Sequence, residues 1–158
     1  MEKKKIYLET TLFNYYFDTN KKGHVETVML FKACAAGRFE PYTSSDVIEE
    51  LKKAPCEKYD KMFDLIELYN ITILDPSADV NKLARRYISE GALPKGSLTD
   101  AIHIATASIY ELDKIISLNF RHIVRKKTIE LTNKINTLLG YKTVEIHSPK
   151  EAMDNEKN

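Results

Sequence analysis

Three carboxylates and one amide in this chain stand where short apolar runs end or helical runs begin. Glu9 follows Ile6–Leu8, Glu50 lies in the segment after Phe39–Thr43, Asp100 falls in the first turn of a long apolar stretch, and Asn119 follows the run KIISL. Oxygen donors without cysteine or clustered histidine suit a hard divalent cation such as Mg²⁺ or Mn²⁺, which takes carboxylates and carbonyls and keeps several waters. Such an ion neutralises a phosphate and acidifies a coordinated water, so the chemistry expected of these residues, if folding gathers them, is attack of water on a phosphodiester. The histidines, His24, His103, His122 and His147, are scattered and show no zinc-binding spacing.

Each of these residues also has a plain structural role to weigh. Ser97-x-x-Asp100 has the form of a capping box, and a carboxylate in a first helical turn is favoured by the helix dipole. Glu50, beside Glu49, Lys52 and Lys53, suits a solvated helix face, Glu9 an exposed strand end, and Asn119 a turn or cap. His103 shares a helix face with Asp100 and reads as a hydrogen-bonded core histidine, whereas His122 reads as a surface loop residue. Arg121, Arg125, Lys126 and Lys127 form one basic group, and Lys82, Arg85 and Arg86 another; either holds a phosphate backbone or simply faces water. Tyr15, Tyr16 and Phe17 could stack bases near Glu9, but a core or dimer contact is the preferred expectation.

The elements that must position these groups follow from periodicity. Ile6–Leu8, Phe39–Thr43, Ile71–Leu74, Lys114–Leu118 and Lys142–Ile146 are short apolar or β-branched runs of strand type. Between them the 3.6-residue spacing predicts helices in Thr10–Phe17, His24–Ala36, a VIEELKK segment stopped near Pro55, Tyr59–Tyr69, Val80–Ile88, Ser97–Tyr110 and Ile123–Leu139. Gly37, Gly91 and Gly140 close three of them. The Ser97–Tyr110 helix is apolar on most faces and is expected to be buried. Strands alternating with helices need crossover connections, so the expected fold is a three-layer α/β/α domain with a mostly parallel sheet. In such a sheet, sites form beyond the carboxyl ends of the strands, where Glu9 and Asn119 fall.

Composition agrees with one globular domain: 158 residues, 43% hydrophobic and 30% charged. A single domain over residues 1–147 is expected, with a frayed tail over 148–158. With 24 basic against 23 acidic residues the net charge is +1, so no overall field draws the chain to DNA or an acidic membrane, and nucleic-acid affinity must be local. Glu9 cuts the first apolar stretch too short for a signal peptide, and no run has the length of a membrane span. Cys34 and Cys56 form no paired motif, which suits thiols in a reducing cytoplasm.

Four segments carry a resemblance: IYLETTLFNYYFD, TSSDVIEEL, SLTDAIHIATA and IISLNFRHI, in this order over nearly the whole chain, resemble the PIN-domain nucleases, including the VapC-like ribonucleases. The resemblance implies an α/β/α fold and an acidic pocket that binds Mg²⁺ or Mn²⁺ and cuts RNA, leaving a 5′-phosphate. It also implies a homodimer and, for many bacterial and archaeal members, a toxin paired with an antitoxin. The family's acids fall on Glu9, Glu50 (rather than Glu49) and Asp100, and its fourth polar position on Asn119; the commoner residue at the first and often at the fourth is Asp. The expected roles are Asp100 and Glu50 as principal metal ligands, Glu9 completing the charge and Asn119 orienting water or ion. Single-stranded RNA is the expected substrate, with Arg121, Arg125 and Lys126 along its backbone. The alternative is a non-catalytic PIN-like module that binds RNA or a protein.

Overall fold

The computed structural model describes residues 3–156. The chain begins with strand β1 (Lys4–Leu8), whose Ile6, Tyr7 and Leu8 are fully buried, as a strand covered on both faces requires. It continues through α1 (Thr10–Phe17), α2 (His24–Ala35), β2 (Phe39–Ser44), α3 (Ser45–Leu51), α4 (Cys56–Leu68) and β3 (Thr72–Leu74). The second half runs α5 (Ala78–Ser89), α6 (Leu98–Ile109), β4 (Lys114–Ile116), α7 (Lys126–Leu139), β5 (Glu145–His147) and α8 (Pro149–Glu156). All strand pairings are parallel, and the sheet order is β3-β2-β1-β4-β5. The expected α/β architecture, a parallel sheet flanked by helices, is the one observed.

The sheet order locates the crevice. The chain builds outward from β1 through β2 and β3, then returns to the other side of β1 to lay down β4 and β5. The reversal falls between β1 and β4, where the connections leave in opposite directions and open a gap at the carboxyl edge. In that register Leu8 pairs with Ile116, so Glu9 and Ser117 emerge side by side. Among the helices, α1 packs with α2, α3 and α4, α2 with α8, and α5 with both α6 and α7. The helix α6 is buried along most of its length, as its composition predicts.

Three expectations change. The segment after Ser148 does not fray: it forms α8, with Ala152 and Met153 buried, and residues 157 and 158 lie outside the described residues. The cause is a reciprocal cap, in which the Glu151 carboxylate accepts from Ser148 N–H at 3.0 Å and Ser148 Oγ from Glu151 N–H at 3.2 Å, with Pro149 between them. The helix expected from Ile123 begins at Lys126, because Ile123 and Val124 donate their N–H groups to the Asn119 carbonyl and close a turn. Strand β4 stops at Ile116, since Leu118 N–H donates at 2.9 Å to the Thr11 hydroxyl instead of to a neighbouring strand.

Candidate active site at the carboxyl edge of the sheet

Glu9 is the first residue past β1 and is only 3% exposed. Its carboxylate caps α1: Oε1 accepts from Thr11 N–H at 3.1 Å, from the Thr11 hydroxyl at 2.5 Å and from the Ser117 hydroxyl at 2.7 Å. Of the structural roles weighed for Glu9, the exposed strand end does not apply: the residue is a buried cap. Burial pushes its carboxyl above the usual range, and the His103 charge and the Thr11 and Ser117 hydrogen bonds offset only part of that rise.

Ser117 links Glu9 to the next pair, because its hydroxyl also accepts from Asn119 N–H at 2.9 Å. The Asn119 amide donates to Asp100 Oδ1 at 3.2 Å, while its Oδ1 accepts from His122 N–H at 3.0 Å. Asn119 thus forms the turn and contacts the acid, but it presents N–H rather than carbonyl oxygen to Asp100. The capping box weighed as the structural role of Ser97 and Asp100 does not form: Ser97 makes no side-chain cap bond, and its hydroxyl lies 3.3 Å from His122 Nδ1. His122, expected on the surface, is half-buried with the same nitrogen 3.2 Å from Asp100 Oδ2. Sequence reasoning missed it; its place after the Asn119 turn was the available signal.

Glu50 reaches the same edge from the last turn of α3. Its Oε1 accepts from the Thr10 hydroxyl at 2.8 Å and pairs with His103 Nε2 at 2.5 Å. His103 is completely buried, as expected for a core histidine, and its Nδ1 lies 2.6 Å from the Tyr7 hydroxyl, itself 2.6 Å from Ser44 Oγ. Burial alone would raise the Glu50 carboxyl, but the His103 hydrogen bond and charge, with Thr10 and Lys53, hold it below the usual range. Burial would likewise lower His103, but Glu50, Glu9 and Asp100 outweigh it and raise the imidazole above its ordinary value. One ring therefore feels all three acids.

Asp46 is a further acid that sequence reasoning passed over. It lies one turn before Glu50 on α3, hence on the same helix face, and its Oδ2 is buried without a hydrogen-bond donor among the described residues. The i, i+4 spacing to Glu50 was the available signal. The basic residues are less engaged. Arg121 and Lys126 are exposed, Arg125 Nε donates to Thr128 Oγ1 at 2.9 Å, and Lys126 faces Glu130 at 4.0 Å. Among the described residues none of the three contacts Glu9, Glu50 or Asp100.

The donor set fits a hard divalent ion in chemistry: Glu9, Glu50, Asp46 and Asp100 offer carboxylate oxygen, and one of these oxygens is buried without a donor. Among the described residues, no three carboxylates, imidazoles or thiols are grouped closely enough to hold one ion between them. That is compatible with Mg²⁺, which is commonly held by one or two carboxylates, substrate phosphate and water.

The fold, a parallel sheet in the order β3-β2-β1-β4-β5 flanked by helices, is similar to that of solved structures from VapC toxin–antitoxin systems. The chain is similar to VapBC2 of Rickettsia felis, described as bound to a DNA fragment from its promoter, with a TM-score of 0.55 and 16% identity over 91% of this chain and 98% of that one. It is similar to VapC20 of Mycobacterium tuberculosis, a sarcin-ricin loop cleaving toxin, with a TM-score of 0.54 and 14% identity over 70% of this chain and 86% of that one. A toxin–antitoxin complex from Klebsiella pneumoniae superposes with a TM-score of 0.54 and 21% identity over 74% and 88% of the two chains. No protein-family model matches the sequence, and no curated protein matches it. No described helix is long and apolar enough to cross a membrane.

Proposed function

We propose that this protein is a ribonuclease that hydrolyses RNA phosphodiesters with Mg²⁺ or Mn²⁺ and acts as the toxin of a toxin–antitoxin pair. What supports the reading is the run of contacts at the carboxyl edge of the sheet: Glu9 bonds to Ser117, Ser117 to Asn119 and Asn119 to Asp100, while Glu50 is held by Thr10, next to Glu9, and by His103, three residues after Asp100.

Asp100 and Glu50 would hold the ion, with Glu9 adding charge from beneath. When bound, the ion supplies neutralisation of the scissile phosphate and acidification of a water. The protein's own groups do the rest. Thr10 and His103 hold Glu50 Oε1, and Ser117 and Thr11 hold Glu9 Oε1. Asn119 and His122 hold the two oxygens of Asp100. Arg121, Arg125 and Lys126 follow Asn119 in sequence and would meet the backbone of single-stranded RNA beyond the scissile bond.

The similarity to toxins, one in a toxin–antitoxin complex, supports an antitoxin partner, and a homodimer in the cytoplasm is the expected resting form. The experiment is cleavage of single-stranded RNA in Mn²⁺ by wild type and Asp100→Asn. Loss of most activity in the variant is the expected result, and equal rates would overturn the assignment.

One observation favours a second reading, a non-catalytic PIN-like module that binds RNA or a protein: no three potential ligands are grouped closely enough to hold one ion. Calorimetry decides between them, since absence of Mn²⁺ uptake by the folded protein selects the module.

A further inference from the structure

We propose that the cavity beside Asn119 is a nucleobase pocket, taking the base next to the scissile phosphate; the proposal rests on the nuclease reading above. Leu118 and Phe120, which flank Asn119 in sequence, line a cavity of about 650 Å³ together with Tyr15 and Gly23. That volume is in the range of small-molecule sites, which are mostly apolar with a few polar groups at the edge.

Three observations indicate a flat aromatic occupant. Phe120 is 57% exposed, so the fold itself does not bury the ring, and Tyr15 presents a second ring in the same cavity. The loop carrying Phe120 is rigid: Thr11, which also holds Glu9, accepts from Leu118 N–H, and Asn119 closes the following turn. Gly23, at φ 104°, packs against Leu118: a side chain there would be strained in backbone, and its Cβ would stand 3.0 Å from Leu118 Cδ2 and displace that part of the wall.

Charge indicates which part of a nucleotide enters. Lys22, Glu26, Lys150 and Glu151 line the cavity and balance in formal charge, with the Glu151 carboxylate turned to its own helix cap and Lys150 facing Asp154 at 3.5 Å. A near-neutral aromatic cavity takes a base, which any of the four nucleotides can present by stacking, rather than a phosphate. The phosphate would then lie on the side of Asn119, which precedes Phe120 and donates to Asp100 Oδ1 at 3.2 Å.

The test uses a single-stranded RNA oligonucleotide carrying the fluorescent base 2-aminopurine, titrated with the full-length Asp100→Asn protein, with and without Phe120→Ala. Stacking is expected to quench the fluorescence, and Phe120→Ala to weaken binding about tenfold, while Phe120→Trp retains it. In otherwise wild-type protein, Phe120→Ala should raise KM by a similar factor with little change in kcat, the mark of binding lost equally from ground and transition states. An exposed ring contributes little to folding, so an unchanged Tm is expected as well. Unchanged binding in Phe120→Ala overturns the proposal and leaves the ring to a protein partner. The two readings fail separately: cleavage that needs Asp100 but ignores Phe120 removes only the pocket, whereas Phe120-dependent quenching without Asp100-dependent cleavage removes only the nuclease.

Discussion

Replacing Tyr7 by Phe removes one oxygen from the middle of a buried chain that runs from the cap of α3 to its last turn. Ser44 Oγ accepts the cap bond from Val47 N–H, meets the Tyr7 hydroxyl, which meets His103 Nδ1, and His103 Nε2–H donates to the Glu50 carboxylate. Tyr7 and His103 are both 0% exposed, so no water replaces the lost group. Two hydrogen bonds at about 1 kcal/mol each are lost, and a buried imidazole nitrogen left without a partner adds about 1–3 kcal/mol, less whatever relaxation recovers. A loss of about 2–4 kcal/mol follows, which for a chain of this size lowers Tm by roughly 4–16 °C. His103→Leu should also destabilise, by orphaning the Tyr7 hydroxyl and unpairing Glu50; the 26% exposure of the Glu50 side chain softens the second effect. Because the two variants remove opposite ends of one bond, the double variant Tyr7→Phe/His103→Leu should be less damaging than their sum by about 0.5–3 kcal/mol. Thermal and urea denaturation of the four proteins measures this cycle. Strict additivity, or a Tyr7→Phe shift below about 1 °C, would sink the idea that this chain is a coupled unit.

Two further outcomes concern the C-terminal elements. Met153, buried where α8 packs on α2, should lower stability by about 2–5 kcal/mol when replaced by Ala, read by thermal denaturation; a frayed tail would show no change. His147 is held below its ordinary pKa of 6.5 by burial first and by Lys114 second, and its Nδ1 is buried without a donor or acceptor among the described residues. With the folded value depressed, the unfolded chain binds the extra proton first, so stability declines as pH falls from about 6.5 toward the folded value. His147→Gln should flatten the wild-type dependence of the urea midpoint across that window, and an unchanged slope would show that another group is responsible.

The order and type of the elements could be read from the chain because each is a local matter. Buried strands need short apolar runs and helices a 3.6-residue stripe, and both repeat in a pattern that only a parallel α/β sheet accommodates. Even the local signal for α8 was present, as Ser148-Pro149-Lys150-Glu151, although charged residues beyond it suggested a loose end. Element ends were less legible, because β4 and α7 are trimmed by Thr11 and Asn119, partners supplied from elsewhere or by a turn.

The four polar positions of the proposed site come from segments that resemble a known family, but their physical states could not be read from the chain. Glu9 and Glu50 are the same residue type, yet burial raises one carboxyl and a buried histidine lowers the other, and neither environment exists until β1, α3 and α6 pack. Asn119 turns its amide rather than its carbonyl toward Asp100 only because the backbone of the next turn claims the oxygen. The contact of His122 with Asp100 joins α6 to the turn after β4 and exists only in the folded chain. Periodicity and caps act over a few residues and can be read along the chain; desolvation and charge act over a few ångströms and depend on which distant segments the folded sheet brings together.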